Sequence, residues 1–163
     1  MMIKIIEADL SLTEHEEAVV QLMDMYALDP MGGGQTLSDY VKKNLPSELR
    51  KRASAHVILA FWGTEPAGLL ICLEGFSTFA CKPLLNIHDL VIAPSHRRKG
   101  LAKLLLRKAE EIALSLDCCK LTLEVLEGNH AAQSVYKSFG FSGYELNPQM
   151  GKALFWEKKI EKP

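Results

Sequence analysis

The segment 94–106 concentrates the residues best able to do chemistry. Pro94 closes a hydrophobic run. His96, Arg97, Arg98, Lys99 and Gly100 follow, and Leu101 opens a long amphipathic stretch. A short basic loop leading straight into a helix leaves several backbone N–H groups unpaired at the helix head. The aligned peptide dipoles add roughly half a positive charge there. Together these make a site for an anion, above all a phosphate. Gly100 lets such a group approach the backbone without meeting a Cβ. The pattern is not a P-loop, because no Gly-Lys-Ser or Gly-Lys-Thr follows. Nor is it a dinucleotide fingerprint, because Gly-x-Gly-x-x-Gly is absent.

The cysteines carry less. Cys72, Cys81, Cys118 and Cys119 form no C-x-x-C and have no histidine at zinc spacing, so no metal site is expected. They read as reduced, mostly buried thiols of a cytoplasmic protein.

The 163 residues, 48% hydrophobic and 24% charged, suit one domain over 1–163 with a core of its own. Lys and Arg number 19 against 20 Asp and Glu, a net charge of −1. That balance speaks against a nucleic-acid partner held by a global positive field. Apolar runs such as 57–62 and 69–73 fall far short of the roughly 18 residues that span a bilayer, so no membrane partner is expected. The opening MMIKIIEADL lacks the apolar region and cleavage site of a signal peptide.

These segments must position the loop. Residues 3–8 read as a strand. Ser11 and Glu14 have capping-box spacing before a helix that ends at Asp29-Pro30. The run Gly32-Gly33-Gly34 is a mobile loop or a place of close approach. A second, surface helix runs from about Thr36 and breaks at Pro46. Residues 56–62 and 67–73 form a hairpin around Gly63-Thr64-Glu65-Pro66, and 84–92 is a further strand. Over 101–116, Leu101, Leu104, Leu105, Ala109, Ile112, Ala113 and Leu116 make one apolar helix face. A strand over 120–125, a helix over 129–139 ending at Gly140, and closing strands over 141–144 and 153–158 complete the chain. A mixed sheet covered by helices is the packing solution.

The segment resembles the GNAT acetyltransferases, whose signature Q/R-x-x-G-x-G/A is met by Arg97, Gly100 and Ala102. DLVIAP before the loop and NHAAQSVYKSFGF after the next strand resemble the family's flanking motifs, the latter at Asn129, Ala132, Tyr136, Gly140 and Phe141. The resemblance implies an α/β fold with a mixed, mostly antiparallel sheet flanked by helices. It implies acetyl-CoA as co-substrate and a small-molecule or peptide amine as acceptor. Strands 84–92 and 120–125 would splay, with backbone groups of Leu90, Val91 and Ile92 pairing with the pantetheine arm. The N–H groups of Arg98, Lys99, Gly100, Leu101 and Ala102 would hold the pyrophosphate. Asn129 would bond near the pantetheine end.

The implied reaction is attack of an amine on a thioester. An amine like lysine's is neutral in only about one molecule in 2,500 at pH 7, a handicap of about 4.6 kcal/mol that gives a base a clear role. Tyr136 matches the family's usual acid for the leaving thiolate; otherwise it packs on its helix. Related amine acetyltransferases carry Glu before Asp on the fourth strand, where this chain has His88-Asp89. His88 titrates near neutrality and can act as base directly or through water, or else is a buried, hydrogen-bonded histidine. Asp89 reads as a structural or water-orienting carboxylate, and Glu124 as a weaker base. Asp29, Glu74 and the glycine loop are candidate acceptor walls. Direct transfer in a ternary complex is expected, since no cysteine lies in either motif. The alternative is a non-catalytic acyl-CoA-binding or sensor domain, which would keep the loop and need no Tyr136. The cluster Leu154, Phe155 and Trp156 suggests a homodimer.

Overall fold

The computed structural model describes residues 2–160. Its residues fall into two compact units, 1–126 and 127–163. In the first unit β1 (Ile3–Glu7), α1 (Thr13–Leu28), α2 (Asp39–Arg50), β2 (Ala55–Trp62), β3 (Glu65–Ser77), β4 (Lys82–Ile92), α3 (Leu101–Ser115) and β5 (Leu121–Leu123) follow in order. The five strands lie in sequence order in one sheet. β1 to β4 pair antiparallel, while β5 joins β4 parallel, as the crossover through α3 requires. This is the mixed, mostly antiparallel sheet flanked by helices that the resemblance implies.

One face of the sheet meets α1 through Val57, Leu59, Phe61, Leu69, Ile71 and Val91, packed with Ala18, Val19 and Leu22. α3 buries Leu101, Leu105, Leu106, Ala109, Ile112 and Ala113. The buried face is thus turned slightly from the predicted one: Leu106 is inside, while Leu104 and Leu116 are half-buried. Each fully buried leucine contributes roughly 1.5–3 kcal/mol. Gly68 on β3 sets how closely this layer approaches. A Cβ there would stand 3.0 Å from Ile92 Cδ1, 3.1 Å from Leu105 Cδ1 and 3.2 Å from the Val91 carbonyl oxygen.

Four local expectations are corrected. Ser11 does not cap α1: its hydroxyl donates to Asp9 Oδ1 (2.6 Å), and no side chain caps the helix. The Ser11 N–H also donates to Asp9 Oδ1 (2.9 Å), and Leu12 rather than Ser11 stands at the N-cap. Pro46 does not end α2, which runs on to Arg50 with Pro46 and Leu49 buried. Side-chain donors flank the proline, Asn44 Nδ2 on the Tyr40 carbonyl (2.7 Å) and Ser47 Oγ on the Asn44 carbonyl (2.9 Å). Of the four free cysteines only Cys72 is buried; Cys118 is half-buried, and Cys81 and Cys119 are exposed. The predicted closing strands are replaced by irregular chain with a single bridge between Glu145 and Lys152. Leu154, Phe155 and Trp156 are exposed there, so no buried neighbour fixes a strand register.

The second unit holds α4 (His130–Phe139). Asn129 Oδ1 accepts from Ala132 N (3.1 Å) as its N-cap, and Gly140 closes it at φ 109°. Tyr136 lies edge-on to Phe141, ring centroids 5.9 Å apart.

Gly68→Ala will force β3, β4 and α3 apart, because a backbone oxygen cannot move aside as a side chain can. A loss of about 1–3 kcal/mol, the usual cost of overpacking, is expected in denaturant unfolding.

Candidate active site

β4 is the strand from which the site grows. It pairs with β5 only at Leu85–Leu121, Asn86–Thr122 and Ile87–Leu123, with Asn86 Nδ2 also donating to Thr122 Oγ1 (3.0 Å). β4 then continues to Ile92 while β5 stops. Leu90, Val91 and Ile92 remain paired with Leu70, Leu69 and Gly68 on the β3 side, and their other edge has no β5 partner. The ladder thus ends part-way along β4, where the resemblance leads one to expect the two strands to part. Glu124 lies just beyond β5 and is exposed.

A β-bulge sits where the partnership ends. Ile71 opposes Asp89 and Cys72 opposes Ile87, which leaves His88 as the extra residue. Such a bulge re-aims side chains. His88 is exposed, so the reading of a buried histidine is corrected. Asp89 shares the α1 face with Ile71 and is half-buried. Burial pushes its carboxyl above the usual range, and the nearby His88 opposes that shift. Tyr26 on α1 feels the same neighbourhood: burial, then Asp89, then Asp29 raise its hydroxyl.

After β4 the chain makes a tight turn over Pro94–His96 and reaches α3 through Arg97, Arg98, Lys99 and Gly100. Arg98 (φ 60°) and Gly100 (φ 82°) are left-handed. For arginine that conformation is uncommon and costs energy. No side chain caps α3, and a Cβ on Gly100 would meet nothing within 4 Å. The first N–H groups of α3 thus have no side-chain cap, the space at Gly100 is open, and the positive end of the helix lies there. This geometry fits a diphosphate.

Three basic side chains of the loop, His96, Arg97 and Lys99, are engaged by neighbours, which sequence reasoning missed. Arg97 Nη2 donates to Asp29 Oδ2 (2.8 Å), and Arg97 Nε donates to the Ile92 carbonyl (3.3 Å). The Lys99 ammonium lies 4.7 Å from the centre of the Trp62 ring. His96 is buried beside Trp62, with ring centroids 5.5 Å apart. Its Nδ1 lies 2.9 Å from Ser95 Oγ and its Nε2 3.7 Å from Glu65 Oε2. A Trp and a Glu flanking the hairpin turn were the available signal.

The predicted acceptor walls separate. Asp29 and the glycine run lie beside the loop through Arg97. Glu74 opposes Leu85, seven residues along β4 from Ile92, or about 23 Å at 3.3 Å per residue, and its carboxylate holds His56 Nε2 (2.7 Å). Glu74 is therefore dropped from that wall. Burial pushes the Cys72 thiol up to about 12, so it offers no thiolate at neutral pH. Among the described residues, no group of three or more His, Cys, Asp or Glu can hold a metal ion, and no helix is long and apolar enough to cross a membrane. Asn129 and Tyr136 lie in the second unit.

Comparison with known proteins agrees. A thialysine N-epsilon-acetyltransferase of Caenorhabditis elegans is 34% identical over 101 residues, which cover 60% of this chain and 62% of that protein. The match thus spans less than two thirds of that relative's length. The crystal structure of a probable acetyltransferase superposes with a TM-score of 0.79 at 23% identity, covering 97% of this chain and 99% of that one. The structure of AAC(6')-Iy in complex with the bisubstrate analog CoA-S-monomethyl-acetylneamine superposes at 0.76 with 16% identity, covering 98% and 100%. At these identities the superpositions speak for the fold.

Asp89 supplies a pH test. Its folded carboxyl titrates above the unfolded one, so the folded state binds the proton more tightly. The contribution of Asp89 to wild-type stability then falls as pH rises from the ordinary value of 3.8 through the raised folded one. Asp89→Asn should match wild type in thermal melts near pH 3 and exceed it at pH 7. A constant difference would contradict the burial argument.

Residues 19–141 match the Acetyltransferase (GNAT) family, more than half of the chain, and the chain belongs to that family.

Proposed function

We propose that this chain is an acetyl-CoA-dependent N-acetyltransferase acting on a primary amine of a small molecule or peptide, by direct transfer in a ternary complex. The observation that carries the reading is the uncapped head of α3 behind two left-handed residues, beside the open edge of β4. The N–H groups of Arg98, Lys99, Gly100, Leu101 and Ala102 hold the diphosphate. Open backbone groups among Leu90, Val91 and Ile92 take the amides of the pantetheine arm, and Asn129 bonds near the arm's end through Nδ2. The relative named for thialysine and the neighbour bound to an acetylneamine analog both favour an amine acceptor.

In this reading the acceptor nitrogen, once neutral, attacks the thioester carbonyl. An N–C bond forms, the C–S bond breaks, and the sulfur leaves as a thiolate that takes a proton from Tyr136. His88, exposed on its bulge, accepts the amine's proton directly or through water. The high Cys72 thiol supports transfer without a cysteine acyl-enzyme. The family match runs across the boundary between the two units, which favours one transferase domain over 1–163. Leu154, Phe155 and Trp156, exposed at 73, 78 and 82%, are the surface on which a second copy would pair to form a homodimer. A cytoplasmic location follows from the reduced thiols of this reading.

Gly100→Val strains the backbone at φ 82° and should lower stability. Its Cβ meets no neighbour, so the protein should still fold while losing acetyl-CoA affinity as the side chain blocks the diphosphate. Gly100→Ala, strained in the same way but smaller, separates the two effects. Unchanged affinity in calorimetric titration would refute the assignment. Turnover with a panel of amines, amino acids, aminoglycosides and peptides identifies the acceptor. With a good acceptor, Tyr136→Phe should lower turnover by about 10²–10⁴-fold, the usual loss with a general acid. His88→Gln should flatten the pH dependence of kcat/KM between about pH 6 and 8. Near-normal turnover in the first, or an unchanged profile in the second, would remove that residue's role.

A further inference from the structure

The glycine run is held by side chains at both ends. At its far end Asp24 on α1 accepts from Thr36 Oγ1 (2.7 Å), the Leu37 N–H (2.8 Å) and Lys42 Nζ (2.9 Å). At its near end Asp29 shapes the chain almost alone. Its Oδ1 accepts from the Met31 N–H (2.9 Å), and its carbonyl accepts from the N–H groups of Gly32 (2.8 Å) and Gly34 (3.1 Å). Gly32 must be glycine here, because a Cβ would overlap the Tyr26 carbonyl oxygen. Gly33 and Gly34 follow at φ 116° and 72°. Three consecutive glycines are costly to order, so the shape of this loop depends on its anchors.

The second oxygen of Asp29 is spent elsewhere. It accepts from Arg97 Nη2 across 68 positions of sequence. Arg97 is fixed from behind by Nε on the Ile92 carbonyl, and it directly precedes the left-handed Arg98. The pair is partly exposed, 51% for Arg97 and 22% for Asp29. An exposed pair of this kind adds little to global stability. It is well placed to bias a loop whose own stability is low.

We propose that the Asp29–Arg97 ion pair is a positioning link that carries order from the diphosphate loop at the head of α3 to the glycine loop at 31–34. The proposal rests on the acetyl-CoA reading above. An anion bound by the N–H groups of 98–102 fixes the backbone that carries Arg97. Arg97 then holds Asp29 in the one orientation that offers Oδ1 to Met31, and the glycine loop sheds its alternative conformations. Binding on one side is thereby coupled through conformational entropy to order on the other. Arg97, a motif position read as part of the cofactor site, acts in this account through Asp29 rather than on phosphate.

The test is hydrogen exchange on the full chain with acetyl-CoA as the probe. In wild type, saturating acetyl-CoA should slow exchange at 98–102 and also at 31–34. In Asp29→Asn the side-chain oxygen still accepts from Met31 but cannot take the charge of Arg97, so the turn is kept and the link is cut. Protection should persist at 98–102 and be lost at 31–34. Arg97→Leu removes every side-chain donor at this position, cuts the link from the other side and should also lose protection at 31–34 at saturation, which keeps the test decisive if Asp29→Asn folds poorly. Retained protection at 31–34 in a folded variant, or wild-type protection confined to 98–102, overturns the link while leaving the transferase reading intact. If acetyl-CoA protects neither segment and gives no heat in titration, the transferase reading falls and the link falls with it.

Discussion

The structure depends on the place where β4 loses its partner. A parallel ladder of three pairs ends at Ile87 and Leu123, and the bulge at His88 follows at once. Beyond it, backbone groups of β4 face away from β3 with no strand beside them. Backbone groups on such an edge can pair with a ligand, and the proposed function rests on that opening. The remaining parts serve that edge. The crossover through α3 makes β5 parallel and aims the head of the helix at the end of β4. Gly68 lets the helix and the two strands close to contact.

The charge around the loop is organised differently from a simple basic patch. His96, Arg97 and Lys99 are taken up by Trp62 and Glu65 on the β2–β3 hairpin and by Asp29 beyond α1. Their side chains brace the loop, and in the proposed function the backbone is what would meet the anion. A fork-shaped guanidinium suits such a brace, since it donates in two directions at once. The strain of Arg98 at φ 60° is then held in place by its fastened neighbours.

The loop that leads into α3, α3 itself and the order of the elements through β5 were legible in the sequence, because each rests on local chemistry or a strong period. The apolar spacing over 101–116 specifies the helix almost alone, and tertiary packing only rotates its buried face to include Leu106. The rest depends on partners distant in sequence. Nothing near Arg97 announces Asp29, 68 positions away. The bulge is a mismatch between two strands and has no signature in one of them, although the polar pair His88-Asp89 inside an apolar strand marks the spot. Pro46 reads as a break because propensity is local, while burial of its ring is not. The apolar run Ala153-Leu154-Phe155-Trp156 reads like a strand, but a strand forms only where an edge accepts it.

The central claim is that the backbone at the head of α3 receives a diphosphate and the open edge of β4 receives the arm attached to it. An amide-resolved titration of the full chain with acetyl-CoA tests this most directly. The account predicts that the largest shifts fall on the N–H resonances of Arg98, Lys99, Gly100, Leu101 and Ala102, with a second group among Leu90, Val91 and Ile92. Shifts centred elsewhere, with these amides unmoved at saturation, would contradict it.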